Sequence, residues 1–194
     1  DRAAIANRLI DAGCDLNLQN QSKWTALMMA SERGHIEIVN HLIAAGCDLN
    51  FQTAKESTAL MISSQNGHAK IVNLLIAAGC DLNLQNNQGI TALMIVSQNG
   101  HTEMANRLIA AGCDLNLQSA VGVTVLMLAS NKGHNEIVNL LIAAGCDLNL
   151  QNNEGITALM IASHKGHTEI ANRLIAAGCD LNLQNKQGST ALMI

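Results

Sequence analysis

The chain has 194 residues, 48% of them apolar, and a formal net charge of −4. That length suffices for a substantial core in one or two domains. No apolar run approaches the ~20 residues needed to cross a bilayer, and the dispersed Lys and Arg residues lack the electrostatic footprint of a nucleic-acid binder.

With one Trp, one Phe and no Tyr, the core must be aliphatic. Repeats are sought first, because a missed period misassigns the fold. Gly-Cys-Asp-Leu-Asn recurs six times, its cysteines Cys14, Cys47, Cys80, Cys113, Cys146 and Cys179 each 33 residues from the next. In chain order, residues 1–19 are the second half of a unit. Five full units follow at 20–52, 53–85, 86–118, 119–151 and 152–184, and residues 185–194 begin another. Thr-Ala-Leu-Met opens most units, with Thr124-Val125-Leu126-Met127 as the variant, and Gly-His stands mid-unit. The chain starts without Met and shows no secretory apolar segment, as expected of a fragment.

The unit 152–184 shows what each repeat encodes. Thr157 is placed to N-cap a short helix beginning Ala158-Leu159-Met160-Ile161-Ala162-Ser163, and Gly166 to end it in a left-handed conformation. A second helix is predicted from Thr168 to about Ala177, with Ile170, Ala171, Leu174 and Ile175 on one face. Gly178 ends that helix, and Cys179–Gly188 reads as an extended loop. Two such short helices are marginal alone and become stable when units stack.

The motifs Gly155-x-Thr157-x-Leu159, Gly166-His167-x-Glu169-Ile170 and Leu174-Ile175-x-x-Gly178-x-Asp180-Leu181-Asn182 resemble the ankyrin repeat, and the resemblance covers essentially the whole chain. It implies an all-α repeat solenoid of helix–turn–helix units with β-turn fingers, and a concave face made of fingers and first helices. There are departures. The usual Pro after Thr is Ala, or Val125, and the usual His two positions later is Met, so apolar packing is expected to replace that histidine's hydrogen bonds. Lys23 and Glu56 occupy the finger position usually held by Gly, where altered turn geometry is expected.

Several residue sets invite a chemical reading. Stacked helices lie ~8–10 Å apart, too far for equivalent cysteines to pair, since a disulfide needs Cα atoms within about 7 Å. With no CxxC present, all six are expected to be inert fillers in a reducing compartment. The His-x-Glu pairs, such as His134/Glu136, read as helix starts where Glu complements the dipole, and His164 with His167 as a surface pair. Asp15, Asp48, Asp81, Asp114, Asp147 and Asp180 should order their own turns, and Asn17, Asn50, Asn83, Asn116, Asn149 and Asn182 likewise. The resemblance makes those asparagines compatible with asparaginyl hydroxylation, and it places Gln19, Gln52, Gln85, Gln118, Gln151 and Gln184 where the family can contact ligand, a uniform row with little register specificity. No phosphate loop, Ser-His-Asp set or paired catalytic carboxylates stands out. Neither enzymatic activity nor a cofactor or metal is expected.

Function is therefore sought at positions that break the period. On the fingers these are Trp24, Ile90, Val121, Val123 and Ile156; at the ends of the first helices they are Arg33, Lys132, His164 and Lys165. Ile90, Val123 and Ile156 either hold an apolar segment of a partner or pack between fingers, and Trp24 poses the same choice. Lys132, Lys165 and Lys186 bias the C-terminal half toward an acidic partner. The expected function is a non-catalytic, protein- or peptide-binding scaffold, intracellular and cytoplasmic. A passive spacer of a larger protein is the alternative, and an engineered array is disfavoured by six free thiols. Ile5, Leu9 and Ile10 at one end, and Leu192-Met193-Ile194 at the other, predict apolar ends that stack head to tail.

Overall fold

In a computed structural model, which describes residues 2–194, the described chain forms eleven α-helices, one 3-10 turn and no strand. It groups into two compact units, Asp1–Asn87 and Gln88–Ile194.

The first unit begins with α1 (Arg2–Asp11), followed by the pairs α2 (Ala26–Glu32) with α3 (Ile36–Ala44) and α4 (Ala59–Gln65) with α5 (Ala69–Ala77). Within it, α2 packs on α4 and on its own partner α3, while α3 lies between α1 and α5. The second unit holds α6 (Ala92–Asn99) with α7 (Thr102–Ala110), α8 (Val125–Lys132) with α9 (Asn135–Ala143), and α10 (Ala158–Lys165) with α11 (Thr168–Ala176), then the 3-10 turn Ala191–Met193. Here the first helices α6, α8 and α10 form one layer, and α7, α9 and α11 form the other.

The helix starts follow from the sequence. In every full unit the threonine hydroxyl accepts the N–H of the methionine three residues on, at 3.2–3.3 Å, satisfying one orphan donor of the first turn. Gly100, Gly133 and Gly166 stop α6, α8 and α10 at φ +71° to +75°. Leu126, Met127, Ile137, Val138 and Leu141 are at most 2% exposed and typify the aliphatic core.

Stacking uses contacts that local pattern does not announce. The His68 ring lies on Gly34, with Nε2 3.0 Å from the Glu32 carbonyl; His134 does the same over Gly100, 3.3 Å from the Gln98 carbonyl. A Cβ on Gly100 would sit 2.7 Å from the His134 ring, so this glycine admits the neighbouring unit as well as ending α6. His167 covers Gly133 in the same way and is therefore a packing residue, where a surface pair with His164 was expected.

Several expectations are corrected. The asparagine row does not act locally. Asn17, Asn50, Asn116 and Asn149 each accept the backbone N–H of the aspartate in the next repeat, at 2.7–2.9 Å, while the aspartates order their own turns through the N–H two residues on. Lys23 and Glu56 adopt φ +59° and +60° and keep the same 2.8 Å turn hydrogen bond that Gly122 and Gly155 make, so the geometry is retained at the cost of strain. Met28 does not merely pack: its sulfur accepts the Thr25 N–H at 3.4 Å. Ile175 is 48% exposed on α11, and Ile10 is buried on α1, whereas Ile5, Leu9, Leu192 and Met193 are open as expected.

Candidate functional site

Each finger is a turn closed by its own backbone. In the second unit, Ser119 N–H donates to the Val123 carbonyl and Asn152 N–H to the Ile156 carbonyl, both at 3.0 Å. Adjacent fingers are linked: Ala120 N–H donates to the Gln88 carbonyl at 2.9 Å, Asn153 N–H to that of Val121 at 3.1 Å, and Lys186 N–H to that of Glu154 at 3.0 Å. The glutamine row braces them further. Gln118 Nε2 donates to the Gly122 and Gln151 carbonyls at 2.8 and 2.9 Å, and Gln151 Nε2 to those of Gly155 and Gln184 at 2.7 and 2.9 Å. In the first unit Gln19 and Gln52 repeat the device. The amide nitrogens of these four glutamines are committed to structure.

The period-breaking residues fall into two sets. Trp24, half-buried, and Arg33, exposed, belong to the first unit. Ile90, Val123 and Ile156 are half-buried on successive fingers of the second unit, and Val121 is 62% exposed beside them. Lys132, His164 and Lys165 are exposed at the ends of α8 and α10 in that same unit.

One row escaped sequence reasoning. Ile95, Leu128 and Ile161 are half-buried on α6, α8 and α10. Leu128 stands four residues before Lys132, and Ile161 four before Lys165, so each shares a helix face with its lysine. The available signal was the exposed polar pair three and four residues on; the apolar run itself hides it.

The acids of the second unit lie elsewhere. Glu103, Glu136 and Glu169 occupy first turns of the second helices, and Asp114, Asp147 and Asp180 the turns after them. Glu154 is the finger acid, 3.8 Å from Lys186. The fingers and first helices of this unit thus carry a half-buried apolar row with Lys132 and Lys165 beside it, on a chain that is acidic overall.

The cysteine positions offer no comparable surface. All six thiols are free; Cys47, Cys80, Cys113, Cys146 and Cys179 are buried, while Cys14 is exposed, which corrects the expectation of six inert fillers. Burial, with help from the adjacent aspartate, pushes Cys80 and Cys146 up to about 11. Burial also raises Cys113 to about 11 and lifts Cys47 and Cys179. Each rise lowers the fraction of reactive thiolate near neutral pH. At pH 7.5, titration with a thiol reagent is therefore expected to show one fast site and five slow ones, with all six fast in denaturant. Loss of the fast phase in Cys14→Ser identifies it; two or more fast sites in the native chain would contradict the assignment.

No helix of the described residues is long and apolar enough to cross a membrane. A comparison with curated proteins finds no match. The family model for ankyrin repeats matches three times, over residues 1–86, 71–152 and 126–194. Ankyrin repeats generally mediate protein–protein interaction and are typically non-catalytic. With its capped helix pairs, linked fingers and unbroken coverage by that model, this chain belongs to the ankyrin repeat family.

Proposed function

We propose that the chain is a non-catalytic scaffold that binds a protein or peptide on the face formed by fingers and first helices. Repeats 20–52, 53–85, 86–118, 119–151 and 152–184 serve as its structural units. The observation that carries this reading is the half-buried row Ile90, Val123 and Ile156 with the 62% exposed Val121. Apolar residues stand there at positions where otherwise similar repeats differ, and recognition surfaces concentrate apolar anchors at such places. Trp24 and Arg33 are the corresponding candidates of the first unit. The free, buried thiols support a reducing compartment, the cytoplasm, as its location.

The test is capture with the native full-length protein, followed by replacement of Ile90, Val123 and Ile156 with Ser. Recovery of a directly bound protein is expected to fall about tenfold or more, since losing two or three contact residues of ~1 kcal/mol each gives that factor. Capture unchanged by these substitutions and by Trp24→Ala would defeat the reading and favour a passive spacer. Head-to-tail stacking through the open apolar side chains Leu192 and Met193 (95% and 70% exposed) is a separate proposal for this 194-residue chain. Light scattering is expected to show mass rising with concentration; a strict monomer at high concentration would overturn it.

A further inference from the structure

We infer that the face of the second unit takes an amphipathic α-helix bearing carboxylates along one edge of its apolar stripe. The inference rests on the reading of that face as a binding surface and adds the chemistry of the occupant.

Two parallel rows set the requirement. One is apolar: Ile95, Leu128 and Ile161, half-buried on the successive first helices α6, α8 and α10. The other is cationic: Lys132 and Lys165, four residues further along α8 and α10. Four residues rise about 6 Å along a helix, so the rows run side by side on one surface. Among the described residues neither lysine has an ion-pair partner, whereas Lys186 lies 3.8 Å from Glu154. The remaining acids of this unit sit on the second helices and the turns after them. The C-terminal ends of α8 and α10 complement the two lysines only in part, and with no side chain paired to them they remain open to a partner carboxylate.

The side-by-side rows select helix over strand. Successive side chains of an extended segment alternate between opposite faces, leaving a single line toward the surface. A helix lays adjacent stripes on one side: residues at i, i+7 and i+14 form one line, and those at i+4 and i+11 the next. The spacing also matches. Packed helices stand ~8–10 Å apart, and seven residues of helix advance about 10.5 Å. One apolar residue of the occupant thus falls on each repeat, and one carboxylate on each of the two repeats that carry a lysine, as when a helix lies in a groove.

The experiment is selection of displayed peptides on the intact 194-residue chain, using an 18-residue helical library and a random linear library in parallel. Expected winners are helical, apolar at seven-residue spacing and acidic beside those positions. Their affinity should drop about tenfold with Lys132→Glu plus Lys165→Glu, two reversed surface charges, weaken with added salt, and recover when the peptide's Glu residues become Lys. Both lysines are exposed, so the double variant should keep its circular dichroism, with a small fall in unfolding midpoint from acids at two helix C-termini; winners indifferent to it, or bound in extended form, yet lost on Ile90, Val123 and Ile156→Ser, would overturn this inference and leave the binding face standing. Winners that depend on neither set, or no winners from either library, would remove both.

Discussion

Replacing Gly122 by Ala is expected to destabilise the second unit by roughly 2–4 kcal/mol, from left-handed strain plus displaced backbone. Gly122 sits at φ +78°, and a Cβ there would lie 2.7 Å from the Asn153 amide nitrogen and 2.9 Å from the Asn152 Cα. Backbone on both sides is held, because Asn153 N–H donates to the Val121 carbonyl at 3.1 Å and Gln118 Nε2 to the carbonyl of Gly122 itself. Urea unfolding monitored by circular dichroism reads the loss. Gly112→Ala separates the two causes: its φ is +82°, but no atom lies within 4 Å of the added carbon. That variant should lose only the strain, ~1–2 kcal/mol. Equal losses in the two would show that finger contact contributes nothing. Lys23→Gly and Glu56→Gly should act in the other direction. They relieve left-handed strain of ~1–2 kcal/mol against a glycine entropy cost of ~0.5–1 kcal/mol, for a net gain of up to about 1.5 kcal/mol.

Lys23 also shows what sequence reasoning reached and where it stopped. The period, the capping threonines and the stop glycines act within one or two turns of chain, so Thr157, Gly166 and the helix pair between Ala158 and Ala176 were legible from residue type and spacing. The glycine vacancy at Lys23 was visible too, yet its outcome depended on the next finger, which holds the turn in place. Contacts 31–36 residues apart left only a trace of repetition. Asn116 bonding the Asp147 N–H, Gln118 spanning two carbonyls and His134 lying over Gly100 look in sequence like uniform rows with no stated purpose.

At the candidate site, Ile90, Val123 and Ile156 were legible because they break a pattern. Leu128 and Ile161 were not, because α8 and α10 are apolar on nearly every side at their start and periodicity cannot separate half-exposed from buried. Cys14 shares its pentapeptide with five buried cysteines. Its exposure is set by what packs on it, which identical local sequence cannot express.

Truncating Leu141 to Ala is expected to cost 2–5 kcal/mol, the lost burial plus the cavity that neighbours fill only in part. Leu141 is 0% exposed on α9, which packs against α7, α8 and α11, so no solvent-facing side exists toward which the site could collapse. Calorimetry or urea unfolding should register it as the larger of two opposed effects within one repeat, 119–151. The other is Ser130 on α8, whose hydroxyl is fully buried and has no hydrogen-bond partner; Ser31, Ser64 and Ser97 stand at the same position of their repeats in the same condition. An unpaired buried hydroxyl carries a desolvation penalty of about 1–3 kcal/mol. Ser130→Ala removes the penalty along with one atom, and a net gain of roughly 1 kcal/mol is expected. The sign is the informative quantity, since a cavity argument alone makes both substitutions destabilising. A loss in Ser130→Ala would overturn the desolvation penalty assigned to this hydroxyl and leave the lost packing of one atom as the larger effect.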